Sequence, residues 1–425
     1  MNDSELKQQD LKQRNPKLVL FIVMLVSFLG TIGIALPYPV LAPYFIDYPA
    51  NELTHFMSFH PKLLLGFSLA IYPLGMLIGS VYIGALSDHF GRRKLLLITL
   101  FGSVIGYMIT ALAIYNESFV FFIFARLVTG ICEGNIAIAR AIAVELHPKI
   151  HRTQALSLIY SATYTGWMLG PVLGGFLMVY GVAEVFMIAG IGMAIAIFLT
   201  WFMIAKDKIK DLDKTDFWHT IRNNNSLTLL KHKEILPMFW FYFLYSMGLN
   251  AFYDFYPVWF VDYFGADGKI ISLATMCLTI VMIIVSAFYV TKLQKRFGEL
   301  SVILIGAGFL AIVLFIQPFL GFYQTFVLFA LIGGIIAITN GMIPSYLSTY
   351  FGHLGQGKVM GLQTSTFCIT NVIIAILGGA LSILDAVYVL LVGSMLVMFS
   401  VIVLWKNRKS QLLMISKTTE EVSKN

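Results

Sequence analysis

The chain has 425 residues, of which 58% are hydrophobic and only 12% are charged, and its mean hydropathy is +0.82. Too few polar side chains remain to cover a water-soluble surface, so the composition excludes a soluble protein and predicts an all-α integral membrane protein. The basic residues behind the net charge of +7 lie mainly in the two tails and in alternate loops, which indicates membrane orientation rather than nucleic-acid binding.

Twelve apolar segments follow one another along the chain, each long enough to cross a bilayer as a helix. They lie at about residues 17–45, 62–86, 95–115, 119–146, 155–180, 183–204, 236–262, 270–291, 300–319, 322–350, 359–381 and 385–405. Of the 29 lysines and arginines, all but Lys62, Lys269, Arg126 and Arg140 fall in the two tails or in alternate loops. Because basic residues near span ends collect on the cytoplasmic side, both termini are predicted to be cytoplasmic.

The first span is rich in glycine and proline near its end. Gly33 is followed by Pro37, Pro39 and Pro43, and prolines at such positions predict a bent helix. The stretch before this glycine, residues 27–31, contains no carboxylate.

The turn after span 2, residues 84–94, reads Gly-Ala-Leu-Ser-Asp-His-Phe-Gly-Arg-Arg-Lys. Its glycines permit a tight turn, its aspartate can accept hydrogen bonds, and its three basic residues remain in the cytosol. The spacing resembles the loop 2–3 signature of the major facilitator superfamily. This resemblance implies a transporter of two six-helix bundles, not an enzyme, with a cytoplasmic gate motif in this turn. The residues that match are Gly84, Leu86, Asp88, Gly91, Arg92 and Arg93.

Span 4 carries three charged residues, Arg126, Glu133 and Arg140, at seven-residue spacing. On a continuous helix this spacing places them in one stripe, about 10 Å apart along the axis. Each charge costs about 2.5–3.5 kcal/mol at the bilayer centre, so the stripe predicts a polar cavity or a buried ion network. Glu133 can carry a proton, whereas Arg126 and Arg140 can clamp a carboxylate or phosphate of a substrate. The alternative is that the three residues only hold neighbouring helices together.

Span 5 contains small residues at four-residue spacing around a proline. They are Gly166, Gly170, Pro171, Gly174 and Gly175. Such spacing predicts a helix face that packs closely against a neighbour. The pattern also resembles the antiporter motif of the drug:proton antiporter branch, which includes tetracycline efflux carriers, and the resemblance implies export. The glycine and prolines of span 1 resemble a second pattern of the same branch.

The charges of the first half depart from this branch. Arg126 with Gly130 resembles the superfamily's span-4 motif, Arg-x-x-x-Gly, whose arginine is linked to proton coupling or substrate contact. Many members of the branch have an acidic residue in span 1, and this chain has none there. Two arginines and one glutamate in span 4 therefore favour an anionic or zwitterionic cargo over a cationic drug.

Residues 206–235 form a long polar stretch, which is interpreted as a cytoplasmic linker between two six-helix bundles at 17–205 and 236–405. The segments 1–16 and 406–425 are interpreted as cytoplasmic tails. Paired six-span halves are one architecture of alternating-access carriers, with the substrate site near the midplane. The loop after span 8 weakly echoes the loop after span 2. The matching residues are Leu293, Phe297 and Gly298, in register with Leu86, Phe90 and Gly91.

Span 7 contains Asn250 and Asp254, which are four residues apart and share a helix face. Asp254 is interpreted as a second proton-coupling residue, and the roles of outer gate, snorkelling interfacial acid and substrate contact stay open. Together with Asn250, the amides of Asn340 and Asn371 supply hydrogen-bonding capacity for a substrate, although polar residues of this kind also join helices.

The three cysteines lie inside predicted spans without metal-ligand spacing, and the chain has no Walker-type glycine-lysine loop. Neither a metal nor a cofactor is therefore predicted. The chain is interpreted as a monomeric, multi-pass secondary transporter of the bacterial inner membrane, with protons, a small-molecule substrate and lipid as partners. It is expected to export a small amphiphilic drug or metabolite in exchange for protons. The alternatives are proton-coupled uptake of an anionic solute, such as an organic acid or carboxylate siderophore, and a receptor that does not transport.

Overall fold

A computed structural model describes residues 15–146, 149–150, 152–204, 226–409 and 411. Every regular element in these residues is a helix, which confirms the all-α prediction. The α-helices are α1 Pro16–Ala35, α2 Tyr38–Ile46, α3 Pro61–Phe90, α4 Arg92–Tyr115, α5 Phe119–Cys132, α6 Asn135–Glu145, α7 Arg152–Leu177, α8 Val182–Met203, α9 Leu236–Phe264, α10 Gly268–Phe288, α11 Val290–Phe297, α12 Glu299–Ile316, α13 Phe322–Phe351, α14 Gln356–Leu381 and α15 Ala386–Lys406. Short 3₁₀ turns occur at Phe56–Ser58, Met178–Tyr180, Ser226–Lys231, Gln317–Phe319 and Gly352–Leu354.

Ten helical stretches in the described residues are long and apolar enough to cross a membrane. Two further helices, α7 and α9, have 26 and 29 residues but are not among these ten. The count of twelve spans therefore stays a prediction. The predicted tails lie largely outside the described residues, and the predicted linker is described only from residue 226 onward.

The chain divides into two compact units. The first unit takes the described residues within 1–44, 48–58 and 71–223. The second unit takes those within 45–47, 59–70 and 224–425.

Glycines allow helices of the first unit to approach closely. A Cβ atom on Gly166 would lie 2.7 Å from the carbonyl oxygen of Phe28, and one on Gly174 would overlap with the carbonyl oxygen of Leu36. The glycine face predicted for span 5 therefore lies against α1, with Pro171 inside α7 and Gly175 buried beside it. Because small residues bring backbones together, this contact gains dispersion energy along a whole helix face.

Helix packing in the second unit uses the same device. A Cβ atom on Gly248 of α9 would overlap with the carbonyl oxygen of Gly393 in α15. A Cβ atom on Gly333 of α13 would overlap with the carbonyl oxygen of Leu278 in α10. The close packing at these glycines was not predicted from the sequence, since they are not part of a regular four-residue pattern.

Candidate functional site

A cluster of polar side chains is buried in the first unit, and we call it the Glu133 cluster. Its members come from four helices and from the break between α5 and α6. Their exposed fractions run from 0% to 3%, so protein surrounds them on all sides. The members are Tyr72, Tyr107, Arg126, Glu133 and Asn135.

Arg126 lies in α5 with its guanidinium group between aromatic rings. Its Cζ atom is 4.4 Å from the ring centroid of Tyr72 and 5.8 Å from that of Phe186. A cation over a ring face is stabilised by the ring quadrupole, and more strongly when water is excluded. The Nε and Nη1 atoms of Arg126 have no hydrogen-bond partner in the described part of the chain. Two donor nitrogens are therefore available to an acceptor that enters the cluster.

Glu133 caps the C-terminal end of α5, where its carboxyl group meets Tyr107 of α4. The Tyr107 hydroxyl donates a hydrogen bond to Glu133 Oε1 at 3.4 Å, and Oε2 has no hydrogen-bond partner among the described residues. No ion pair joins Glu133 to Arg126 in this structure. The carboxyl group can therefore change its protonation state without an ion pair having to break.

The charged stripe predicted on span 4 lies on one apolar helical stretch, Phe119–Glu145, that is interrupted once. The helix ends at Cys132 and resumes at Asn135, because Glu133 and Gly134 form a turn between α5 and α6. Arg126 and Glu133 both lie within electrostatic range of Tyr72. Arg140 instead lies on α6, partly buried, with its Cζ atom 4.7 Å from the ring centroid of Tyr160 in α7. Glu133 and Gly134 keep near-helical φ angles of −69° and −57°, so the turn interrupts the helix within one span, and the spacing alone did not show this interruption.

The second unit contains its own buried polar seam between α9 and α14. Asn250 donates a hydrogen bond to Thr370 Oγ1 at 3.3 Å, and the Thr370 hydroxyl donates to Ser246 Oγ at 3.0 Å. Asp254 is 2% exposed, and neither of its carboxyl oxygens has a hydrogen-bond partner among the described residues. Such burial argues against the interpretation of Asp254 as a snorkelling interfacial acid.

The two other predicted amides occupy different environments. Tyr245 donates a hydrogen bond to Asn340 Oδ1 at 3.3 Å, so this amide joins α9 to α13. Asn371 is 1% exposed, and its Oδ1 atom has no partner among the described residues. Asn371 therefore retains an acceptor for a ligand or water, while the Oδ1 atom of Asn340 already serves a contact between helices.

The turn predicted at residues 84–94 is shorter in the structure than in the prediction. Helix α3 continues to Phe90, and α4 begins at Arg92, so Gly91 alone makes the turn. Gly91 has a φ of 93°, a backbone conformation that favours glycine. The backbone of Gly84 and Asp88 is helical, but the side chain of Asp88 lies outside the described part of the structure. The role of Asp88 in the cytoplasmic gate motif therefore stays a prediction.

The two arginines of this motif attach the turn to other helices of the first unit. Arg92 Nε donates to Glu145 Oε1 of α6 at 3.0 Å, and its Nη1 donates to Ser87 Oγ at 2.5 Å. Arg93 Nη2 donates to the carbonyl oxygen of Trp201 in α8 at 2.6 Å, while its Cζ atom lies 5.2 Å from that ring centroid. The motif thus connects the α3–α4 turn to α6 and α8.

A turn in the second unit repeats this geometry with the opposite charge. Gly298 has a φ of 75° and lies between α11 and α12, as Gly91 lies between α3 and α4. The next residue, Glu299, accepts from Gln294 Nε2 at 2.7 Å and from Ser345 Oγ of α13 at 2.5 Å. Both charged residues therefore contact a polar residue five positions earlier and another helix of their own unit. Sequence reasoning found the glycine and missed Glu299, although the position after the glycine is charged in both turns.

An ion pair that sequence reasoning also missed lies in the second unit. Lys62 Nζ is 2.7 Å from Asp262 Oδ2, with side chains that are 15% and 18% exposed. Burial of the Asp47 carboxyl group raises its pKa, and the nearby negative charge of Asp262 raises this pKa further by a smaller amount. Lys62 lies outside the predicted cytoplasmic segments, where lysines are uncommon in this chain. This position was the feature of the sequence that could have indicated an ion-pair partner.

Apolar helices with buried charged groups inside them define a multi-pass membrane protein of the transporter class. The protein-family model of the Major Facilitator Superfamily matches residues 20–316 and 238–422 of this sequence. The chain therefore belongs to the Major Facilitator Superfamily, whose members are membrane transporters and not enzymes. This result confirms the family that the loop motif indicated.

Comparisons with individual proteins agree with this assignment. The chain is 24% identical over 409 residues to "Multidrug resistance protein 2" of Bacillus subtilis strain 168, which covers 94% of this chain and 98% of that protein. It is 26% identical over 364 residues to "Tetracycline resistance protein, class B" of Escherichia coli, covering 83% and 85%. A solved structure of a D-xylose-proton symporter has a TM-score of 0.72 at 17% identity, covering 92% of this chain and 97% of that chain. This last likeness concerns the fold alone.

Proposed function

We propose that this protein is a secondary active transporter that exports a small amphiphilic drug or metabolite in exchange for protons. In this proposal, twelve spans form two six-helix bundles, both termini are cytoplasmic, and transport proceeds by alternating access. The names of the multidrug and tetracycline resistance relatives support the direction and the substrate class. The glycine motif of span 5 supports the same direction.

The main support for the proposal is the buried environment of the Glu133 carboxyl group. An acid that is 1% exposed, has one oxygen without a partner and forms no ion pair is costly unless it has a function. A proton carrier needs such a group, because it must bind a proton on one side of the membrane and release it on the other. Arg126 is placed to respond to the charge of Glu133 or to bind an acidic group of the cargo.

The other predicted residues take supporting roles in this proposal. Asp254 serves as a second proton-coupling residue, since its carboxyl oxygens also have no partner in the described residues. Asn250 and Asn371 line the substrate path in the second unit. The gate motif holds the turn between α3 and α4, and the glycines of α7 permit helices to slide past one another. We place the protein in the bacterial inner membrane as a monomer.

Everted membrane vesicles that contain the protein test this proposal directly. The vesicle interior is acidified by respiration and followed with a pH-sensitive dye, and tetracyclines, quinolones, organic acids and carboxylate siderophores are added in turn. Proton release on addition of one compound, absent from vesicles without the protein, is the expected result and names the substrate class. Failure of every compound to release protons, together with protein-dependent accumulation of a labelled anion by intact cells, would replace export with uptake.

The uptake alternative has one specific observation in its favour. Arg126 has two donor nitrogens, Nε and Nη1, without partners among the described residues, and a guanidinium group forms charge-assisted hydrogen bonds with a carboxylate or phosphate. Under this alternative, Arg126→Ala raises the KM for the labelled anion far more than Arg140→Ala does, because Arg140 lies against Tyr160 rather than in the Glu133 cluster. Equal KM values in the two variants would contradict the clamp by Arg126.

We expect Arg92→Gln to slow transport without unfolding the protein. The ion pair to Glu145 is partly exposed, at 20% and 55%, so its loss costs only about 0–1 kcal/mol of stability. If the pair holds a state of the transport cycle by about 1 kcal/mol, its loss lowers the maximal rate by up to about fivefold. The measurement is the initial rate against substrate concentration in vesicles.

The matched control for Arg92→Gln is Lys94→Gln. Lys94 is exposed and lies in the same turn, with its Nζ atom 5.8 Å from the ring centroid of Phe90. An unchanged maximal rate in Arg92→Gln, or an equal loss in Lys94→Gln, would show that the contact with Glu145 does not act as a gate.

A further inference from the structure

We propose that Tyr107 is a positioning residue for Glu133, which directs the transported proton to Oε2 and sets the pH at which that proton is released. The proposal rests on the role of Glu133 in the proposed function and extends it to a residue from another helix. Tyr107 belongs to no motif in the sequence. It lies 26 positions before Glu133, in α4 rather than α5.

Tyr107 contacts Glu133 directly. Tyr107 is 0% exposed, and its hydroxyl group donates to Glu133 Oε1 at 3.4 Å. A phenol hydroxyl can donate to a carboxylate, and it can also donate to the carbonyl oxygen of a protonated carboxyl group. Tyr107 therefore holds Oε1 in both states. The exchangeable proton is left to Oε2, which has no hydrogen-bond partner in the described part of the chain.

Two glycines of α1 leave the space in which Tyr107 and Glu133 meet. A Cβ atom on Gly33 would overlap with the Tyr107 hydroxyl and lie 2.8 Å from its Cζ atom. A Cβ atom on Gly30 would lie 3.1 Å from Glu133 Oε2 and 3.5 Å from Asn135 Oδ1. The two glycines are three residues apart, so they face the same side of α1. Glycine at position 33 is thus a condition for the contact between Tyr107 and Glu133.

Other polar and charged groups also surround the Glu133 carboxyl group. Tyr72 of α3 and Arg126 and Cys132 of α5 lie within electrostatic range of Glu133, while α1 presents Gly30 and α6 presents the neutral amide of Asn135. Asn135 and Tyr72 also interact with the carboxyl group through their side chains, whereas Tyr107 donates a hydrogen bond to it at 3.4 Å. Removal of its hydroxyl therefore changes the carboxyl group directly and leaves the ring packing in place.

The test compares Tyr107→Phe with the unchanged protein in the vesicle assay over a range of pH. This hydrogen bond is stronger to the charged carboxylate than to the neutral acid, so its loss should move the pH midpoint of substrate-driven proton release towards alkaline pH, by up to about one unit. The matched control is Tyr115→Phe, a change in the same helix at a tyrosine that is 57% exposed and bonds to Glu184. The control should keep the original midpoint.

A second measurement follows the carboxyl group without transport. Infrared difference spectra of the purified protein, titrated with acid, should show a carboxylic C=O band that is missing in Glu133→Gln. That band should titrate at a different pH in Tyr107→Phe, and Gly33→Ala should reproduce this change because it displaces the hydroxyl. Gly192→Ala is the control, since its added methyl group meets only Leu29 Cδ2, at 3.6 Å.

The outcomes separate this inference from the proposed function. If Glu133→Gln abolishes coupling while Tyr107→Phe keeps both the midpoint and the band of the unchanged protein, the positioning role is overturned and the function stands. If Glu133→Gln keeps full proton coupling, the coupling role of Glu133 itself fails. A shift in Tyr107→Phe and Gly33→Ala, absent from both controls, supports the inference.

Discussion

Replacement of Glu133 by glutamine is expected to abolish proton-coupled transport while the protein still exchanges its substrate. Glutamine has nearly the same shape as glutamate but cannot take up and release a proton in this pH range. Substrate-driven proton release should fall by about a hundredfold or more, the scale on which a proton-transferring group contributes to a reaction rate. Counterflow of labelled substrate across the same vesicles, which needs no net proton movement, should continue.

Glu184→Gln serves as the matched control for this prediction. Glu184 lies in α8 of the same unit and accepts a hydrogen bond from Tyr115, which is not a member of the Glu133 cluster. Proton release that survives in Glu133→Gln would remove this residue from the coupling mechanism. Loss of counterflow together with proton release, at normal protein abundance, would instead assign Glu133 to substrate binding.

Gly174→Ala is expected to destabilise the protein severely. The added methyl group would overlap with the carbonyl oxygen of Leu36, which belongs to the backbone and cannot move aside as a flexible side chain can. Overpacking of this kind costs about 1–3 kcal/mol, and here the loss extends along the face between α1 and α7. The midpoint of thermal unfolding, followed by size-exclusion chromatography in detergent, should fall by several degrees.

Gly192→Ala is the control for the glycine prediction. Its methyl group would meet Leu29 Cδ2 at 3.6 Å, an ordinary van der Waals distance, so the unfolding midpoint should stay close to that of the unchanged protein. Equal midpoints for Gly174→Ala and the unchanged protein would show that α1 and α7 can separate without cost. In that case the close packing would not limit the stability of the first unit.

The two turns with glycine at positive φ show how far sequence comparison within the chain can reach. The echo of Phe90 and Gly91 in Phe297 and Gly298 was visible in the sequence, because a turn between two helices limits the residue types that fit. The contacts of Glu299 with Gln294 and Ser345 were not visible. They depend on the direction in which a helix more than 40 positions away presents its side chain.

Span 4 illustrates what residue spacing leaves out. Seven-residue spacing predicts one stripe only on an unbroken helix, and a turn at Glu133 and Gly134 interrupts this helix between Arg126 and Arg140. A glycine within an apolar run is compatible with a continuous helix, so the sequence contained no decisive signal for the break. The partners of Arg126, the rings of Tyr72 and Phe186, come from two other helices and were absent from the prediction.

The sequence by itself determined that the chain is helical and belongs to the Major Facilitator Superfamily. The physical reason is that lipid cannot hydrogen-bond to the backbone, so apolar runs of this length must form helices, and short polar turns must join them. Only the tertiary structure decided which buried groups meet. Tyr107, Glu133 and Gly33 come from three segments of the chain, and their contact depends on helix direction, on the break in span 4 and on the space left by a missing side chain.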